Sequence, residues 1–158
     1  MFHVVLYHPE IPPNTGNIMR LCANTDTALH LIHPLGFALE DQLLRRAGLD
    51  YREWADVTEH ETFDRFLATV APRRLLAFTR NAGQVHAEPD YETGDALLFG
   101  PESDGLPAEI LDRPEIVDRL RIPMVPRSRS LNLANAVAIV LYEALRQNGF
   151  PGLLGEDK

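Results

Sequence analysis

The sequence contains a single cysteine, Cys22, among its 158 residues. One cysteine cannot form an internal disulfide, and it excludes a metal site built from clustered thiolates. No apolar run approaches the ~20 residues that a membrane-spanning helix needs. The first residues, MFHVVLYHPEIPP, have no basic segment, and their apolar run stops at Tyr7. We therefore expect no signal peptide and a cytoplasmic protein.

Basic residues are also fewer than acidic ones, so the net charge is −8. A general nucleic-acid binder is usually basic, so any contact with nucleic acid must be local. Arginine pairs occur at 45–46 and 73–74, and a third cluster, RSR at 127–129, stands just before the last helix. The motifs of zinc proteases, serine hydrolases, P-loops and dinucleotide-binding loops are absent from the sequence. We expect no bound metal and no nicotinamide chemistry.

Apolar runs that alternate with helical patterns predict one α/β domain over residues 1–158, with a largely parallel sheet flanked by helices. Hydrophobic residues make up 45% of the chain, enough for one core. Strands are predicted at 2–9, 28–34, 73–79, 95–100 and 119–124. Helices are predicted at 14–24, 39–47, 61–70 and 131–147, with an ambiguous stretch at 51–57. Asn14 or Thr15 is the predicted N-cap of the first helix.

Three of the predicted strands are followed by polar loops stiffened by proline: PPNTGNIMR, GPESDGLP and PMVPRSRSLN. Ligands bind at the carboxyl ends of strands in such sheets. The first helix start should favour an anion, and Arg20 could reach back over the same mouth. Gly100 would let another group approach the backbone, and Glu102 places a carboxylate at a strand end. The three loops together predict a ligand site built largely from backbone.

The last helix is unusual because an almost purely apolar stretch, LANAVAIVL, begins with the polar sequence SRSLN. Ser130 is its predicted N-cap. Buried amides such as Asn132 and Asn135 cost about 1–3 kcal/mol each unless they are paired. We expect them to serve a ligand or a partner subunit. A helix that is apolar nearly all round needs cover on more than one side, which favours a dimer.

The ordered segments PNTGNIMR, LLFGPESDGLP and IPMVPRSRSLNLANAVAIVLYEALRQ closely resemble the three signature motifs of the SPOUT (SpoU–TrmD) RNA methyltransferases. The wider chain, including LYHPEIPPNTGNIMRLCANT and LRRAGLDY, is similar to the small bacterial tRNA 2′-O-methyltransferases that act at the wobble position. The resemblance spans residues 2 to about 152. It implies a C-terminal deep trefoil knot, which sequence physics would not suggest. It also implies S-adenosyl-L-methionine as cofactor and a homodimer with the site at the interface.

The resemblance assigns roles residue by residue. It implies catalytic positions at Asn14, Arg20, Glu102, Ser130 and Asn132. It implies cofactor contacts at Phe78, Gly100, Ile122, Ser130 and Leu131. Because guanidinium is always protonated, the motif arginine would hold a phosphate and polarise the ribose hydroxyl rather than act as a base.

The implied substrate is the wobble nucleotide, cytidine or 5-substituted uridine, in the tRNA anticodon loop, with leucine tRNAs as the expected set. We expect no appended RNA-binding domain and no DNA or membrane partner. The RNA contacts would come from Arg20, Arg45, Arg46, Arg127 and Arg129, with Tyr142 as an RNA, interface or packing residue. Methylation of another RNA position and a non-catalytic dimer that binds cofactor or RNA are the alternatives.

Overall fold

A seven-stranded sheet forms the centre of the computed structural model, which describes residues 1–39 and 56–155. The strand order is β3-β2-β1-β6-β4-β7-β5, and every pair of neighbours runs parallel. This confirms the predicted α/β class. The strands are β1 (His3–Tyr7), β2 (Ala28–Ile32), β3 (Val57–His60), β4 (Arg74–Phe78), β5 (Gln84–Val85), β6 (Asp95–Phe99) and β7 (Ile116–Arg121).

Helices cover both faces of the sheet: α1 (Pro12–Asn24), α2 (Phe63–Val70), α3 (Ala108–Leu111) and α4 (Leu133–Gln147). Alternate residues of β1 enter different cores: Val4 lies in the cluster with α1 and α4, and Val5 in the cluster with α2 and α3. Burial on both faces explains why these strands are continuous apolar runs. None of the described helices is both long and apolar enough to cross a membrane.

Two helix starts differ from the prediction. α1 begins at Pro12, not after Asn14 or Thr15, because proline suits the first helical turn, where no N–H is needed. α4 begins at Leu133, and its N-cap is Asn132 rather than Ser130. The Asn132 side chain accepts a hydrogen bond from the backbone N–H of Asn135 at 3.2 Å. Asn132, one of the two asparagines at the start of this helix, therefore acts as an ordinary N-cap.

Other differences concern short elements. β3 (Val57–His60) begins at the last residue of the ambiguous stretch 51–57, and β5 has only two residues where no strand is predicted. The helix predicted at 39–47 lies almost entirely outside the described residues. Cys22 is a buried core residue, as predicted, and burial raises the pKa of its thiol to about 12.

The topology places a switch point between β1 and β6, which are neighbours near the middle of the sheet. From β1 the chain continues to β2 on one side, whereas β6 pairs with β4 on the other. All the strands are parallel, so the loops after β1, β4, β6 and β7 leave from one edge. This edge is where an open α/β sheet forms its ligand crevice.

Candidate active site

Glu102 joins two of the loops at this edge. Its carboxylate accepts the backbone N–H groups of Glu10 at 2.8 Å and Ile11 at 3.1 Å. It also accepts the side-chain amide of Asn14 at 3.4 Å. Hydrogen bonds to a charged acceptor are stronger than neutral ones. Glu102 therefore fixes the loop after β6 against the loop that leads from β1 into α1.

Asn14 extends this connection to the third loop. The Asn132 side-chain amide donates to the Asn14 side-chain oxygen at 2.9 Å. Glu102, Asn14 and Asn132 thus form a continuous row of hydrogen bonds, here called the polar line, across the ends of three loops. Asn14 is only 6% exposed, so its amide depends on these two partners. Three of the five predicted catalytic residues meet in one place.

The start of α1 is not free to bind an external anion. Pro12 and Pro13 have no N–H, and the N–H groups of Asn14 and Thr15 point to the Ile11 carbonyl at 3.1 and 3.4 Å. The two amides just before the helix are taken by Glu102. The predicted anion site at this helix start is wrong, because the anion there belongs to the chain itself.

Gly100 is required for the fold of its own loop. A Cβ at this position would lie 2.2 Å from the backbone nitrogen of Leu106 and 2.4 Å from the carbonyl carbon of Gly105. The loop closes through the Gly105 N–H, which donates to the Pro101 carbonyl at 2.9 Å, with Gly105 at φ +68°. The group that approaches Gly100 in this chain is therefore the backbone at Gly105 and Leu106, and a cofactor contact at Gly100 stays a prediction.

The chain leaves β1 through a strained residue. His8 has φ +50°, a left-handed conformation that non-glycine residues seldom adopt. Its ring stacks on Tyr7 with centroids 3.7 Å apart. Burial lowers the pKa of His8, opposed by a hydrogen bond to the backbone of His33 and by the charge of Glu109.

A cavity of about 380 Å³ opens between the loop after β4 and the segment 122–132. Cavities that hold small molecules begin at roughly this size. Arg80, which lines the cavity, donates through its guanidinium to the carbonyl oxygen of Arg129 at 2.9 Å. The lining combines apolar and polar side chains: Arg80, Asn81, Arg121, Ile122, Met124, Val125, Pro126 and Ser128.

The predicted cofactor residues differ in whether they line this cavity. Ile122 lines it. Phe78 is 8% exposed and stacks on Phe99 with centroids 4.8 Å apart, so its side chain belongs to the core. Ser130 and Leu131 are exposed on the segment that continues from the cavity to α4. Any contact from Phe78 or Gly100 would have to come from the backbone.

Arg20 does not join the polar line of its own chain. Six residues of α-helix place it about 240° around the axis from Asn14 and about 9 Å along it. It is exposed, and among the described residues no carboxylate forms an ion pair with it. Its guanidinium faces outward from α1, so the expected reach over the mouth is not found within one chain.

The other predicted RNA residues are at the surface where they are described. Arg127, Arg129 and Tyr142 are exposed, whereas Arg45 and Arg46 lie outside the described residues. Asn132 and Asn135 are also exposed, which corrects the expectation that both amides are buried. On the outer side of α4, Ile139 is 40% exposed.

Sequence reasoning missed Glu10 and Arg80. Glu10 stands in the segment HPEIPP, directly after β1, and its carboxylate accepts the Ser103 hydroxyl at 2.7 Å. The rule that singled out Glu102, a carboxylate at a strand end in a proline-stiffened loop, would also have found Glu10. Arg80 lies two residues after the end of β4, in a segment without proline that the same rule would not have found.

A family model described as the SpoU rRNA Methylase family matches residues 1–142, and with them all three loops of the site. The chain belongs to the SpoU rRNA methylase family. This SpoU chain is 55% identical over 157 residues to the tRNA (cytidine(34)-2′-O)-methyltransferase of Escherichia coli K12. The alignment covers 99% of this chain and 100% of that relative.

Solved structures of other proteins share the fold. A putative RNA methyltransferase from Bacillus anthracis matches with a TM-score of 0.89 and 45% identity, over 99% of each chain. A structure concerned with 2-OH methylation of C/U34 on tRNA matches with a TM-score of 0.86 and 47% identity, over 94% of this chain and 97% of that one. An AdoMet-bound rRNA methyltransferase from Sinorhizobium meliloti matches with a TM-score of 0.80 and 26% identity, over 92% of this chain and 56% of that one.

Proposed function

We propose that this protein transfers a methyl group from S-adenosyl-L-methionine to the ribose 2′-OH of the wobble nucleotide in tRNA, a cytidine or a 5-substituted uridine. Leucine tRNAs are the proposed substrates, and the cytoplasm is the proposed location. The observation that carries the proposal is the match, over the whole length of both chains, to a tRNA (cytidine(34)-2′-O)-methyltransferase. The polar line supports it, because the motif side chains meet at the ligand edge of the sheet.

The cavity beside segment 122–132 fits the cofactor in size and in chemistry. Ile122 and Val125 offer apolar surface to an adenine ring, and Arg80 and Arg121 offer positive charge to an amino-acid carboxylate. S-adenosyl-L-methionine, when bound, supplies a methyl group activated by its sulfonium charge. The deep knot stays a prediction; the Arg80–Arg129 hydrogen bond across this segment is compatible with it.

The residues of the chain have the tasks of holding and orienting the substrate. Glu102 keeps Asn14 and Asn132 in fixed orientations, so their remaining polar groups are preorganised for the ribose. The guanidinium of Arg20 holds a phosphate and polarises the 2′-OH. A phosphate oxygen next to the ribose accepts the proton. Ser130, exposed beside Asn132, is a further donor for the same substrate.

A homodimer would bring Arg20 to the substrate. Arg20 faces outward from α1, and Ile139 and Tyr142 expose 40% and 47% of their surface on α4. α1 and α4 pack against the same core, so these residues share one side of the molecule. In the proposed dimer, Arg20 of one subunit completes the polar line of the other.

The RNA would be held by few charges. With a net charge of −8, the surface as a whole repels phosphates, so Arg127 and Arg129 provide the local attraction, joined by Arg45 and Arg46. An unpaired anticodon-loop base is the kind of target that sequence-specific RNA binders usually recognise. Substrate choice then rests on the single domain and its dimer.

The test uses S-adenosyl-L-methionine labelled in the methyl group and bulk bacterial tRNA. The proposal expects label in RNA that survives alkali as a resistant dinucleotide, because a methylated 2′-oxygen cannot attack the neighbouring phosphate. Tight cofactor binding without label would instead indicate a non-catalytic dimer. Mixing inactive Arg20→Ala and Asn132→Ala proteins under subunit exchange should restore up to about a quarter of the activity, since only the mixed dimer contains an intact site. No restoration would contradict a shared site.

A further inference from the structure

Glu10 and Glu102 hold two loops together in a reciprocal way. Glu102, after β6, accepts the backbone N–H groups of Glu10 and Ile11. The Glu10 carboxylate in turn accepts the Ser103 hydroxyl at 2.7 Å and the Ser103 backbone N–H at 3.3 Å. These four hydrogen bonds close a ring between residues 10–11 and 102–103, which we name the clasp.

The clasp brings the carboxylates of Glu10 and Glu102 onto adjoining loops. Two carboxylates on adjoining loops repel each other, so each needs donors that the opposite loop supplies. Glu10 also has little freedom to retreat. The Gly36 N–H donates to the Pro9 carbonyl at 2.9 Å, and a Cβ on Gly36 would lie 2.8 Å from the Glu10 Cα. The backbone at Gly36 therefore closes the rear of the clasp.

From this geometry we propose that Glu10 is a positioning residue for methyl transfer, an inference that rests on the proposed function. The side chain of Glu10 makes its hydrogen bonds to Ser103 and none to the side chains of the polar line. It holds Ser103, and so keeps the neighbouring Glu102 seated on the Glu10 and Ile11 amides. Glu102 in turn sets the Asn14 amide. Loosening the clasp should misorient the polar line while leaving the cofactor cavity and the surface arginines in place.

A matched pair of variants isolates the hydroxyl half of the clasp. Ser103 is exposed, so we expect valine and threonine both to be tolerated there. The two differ only in that threonine has a hydroxyl where valine has a methyl group of nearly equal size. Ser103→Thr should retain wild-type kcat. Ser103→Val should lower kcat about tenfold, with the KM for tRNA and the Kd for S-adenosyl-L-methionine within about twofold. Glu10→Gln, which keeps the shape and removes the charge, should lower kcat in the same way.

Hydrogen exchange gives a readout that does not depend on activity. Residues 9, 12 and 13 are prolines, so a peptide covering 8–13 carries only the Glu10 and Ile11 amides beyond its first residue. These two amides are the donors to Glu102. They should exchange about tenfold faster in Ser103→Val than in Ser103→Thr.

The outcomes separate the two proposals. Equal exchange in the valine and threonine variants overturns the clasp. Faster exchange with unchanged kcat reduces Glu10 to a structural role and overturns positioning. Lower kcat with unchanged exchange also overturns it, because Ser103 would then act on the substrate directly. Wild-type protein that transfers no methyl group defeats the proposed function and the positioning role with it, whereas the exchange experiment still reports on the clasp.

Discussion

Acid should destabilise this protein through a row of histidines at the opposite end of the sheet from β5. His3, His30 and His60 lie on β1, β2 and β3, and their rings are joined by nitrogen–nitrogen contacts of 3.0 Å each. Phe66 packs on His30 and His60, with ring centroids 5.4 Å away from each. His30 and His60 are 6% and 5% exposed. Within residues 1–39 and 56–155, no three potential ligands are placed to hold a metal ion.

The expected loss of stability at low pH follows from the pKa of His30. Burial, reinforced by the charges of His3 and His60, lowers the pKa of His30 from 6.5 to about 3. Between these two values the unfolded chain therefore binds more protons than the folded chain. The free energy of unfolding is at its full value above pH 6.5 and falls progressively as the pH is lowered toward 3. Lowering the pH from 7.5 to 5 should cost about 2 kcal/mol. The pKa of His3 and of His60 is also lowered, chiefly by burial, which acts in the same direction.

Urea unfolding at pH 7.5 and pH 5, at one protein concentration, measures this loss. His30→Gln keeps a donor and an acceptor but does not titrate, so it should remove most of the pH dependence. The control is His33→Gln, because His33 is 42% exposed and pairs with Glu59 at the surface, where such pairs contribute about 1 kcal/mol or less. Equal stability of the wild type at both pH values would refute the reasoning. So would a control variant that loses as much pH dependence as His30→Gln.

Three further predictions concern the site. Gly100→Ala should lower the melting temperature and weaken cofactor binding at least tenfold in calorimetry, because its Cβ would collide with the Leu106 backbone nitrogen; unchanged binding would contradict the account of this loop. Arg20→Lys should lower kcat tenfold or more, since lysine lacks the planar fork of donors, and unchanged turnover would exclude a bidentate role. A plot of log affinity for tRNA against log salt should have a slope of about −2 to −4, because Arg127, Arg129 and few other charges reach phosphates. A slope near −8 would indicate many more contacts.

Much of the fold could be predicted, and the exceptions have physical causes. Strands such as β1 and β6 are apolar runs that end at proline or glycine, so their pattern was clear. β3 was missed because two of its four residues, Thr58 and Glu59, are polar and exposed. Its place in the sheet depends on pairing with β2, which no local pattern reveals.

The residues of the site could be predicted from the sequence, but the hydrogen bonds between them could not. Glu102, Asn14 and Asn132 each follow a strand in a stiffened loop, which singled them out. Their hydrogen bonds join positions 88 and 118 residues apart, and only the folded sheet brings these together. The need for glycine at Gly100 was foreseen, but the group that approaches it was not. Arg20 is exposed on α1, and its role in catalysis stays a prediction.

Nuclease mapping of methyl-labelled bulk tRNA tests the central claim most directly. After reaction with labelled S-adenosyl-L-methionine, the tRNA is digested and the labelled nucleotide is located by sequence and by the position of the methyl group on the ribose. The account predicts label on the 2′-oxygen of the wobble nucleotide. Label on a base, or on the ribose of a nucleotide outside the anticodon loop, would contradict it.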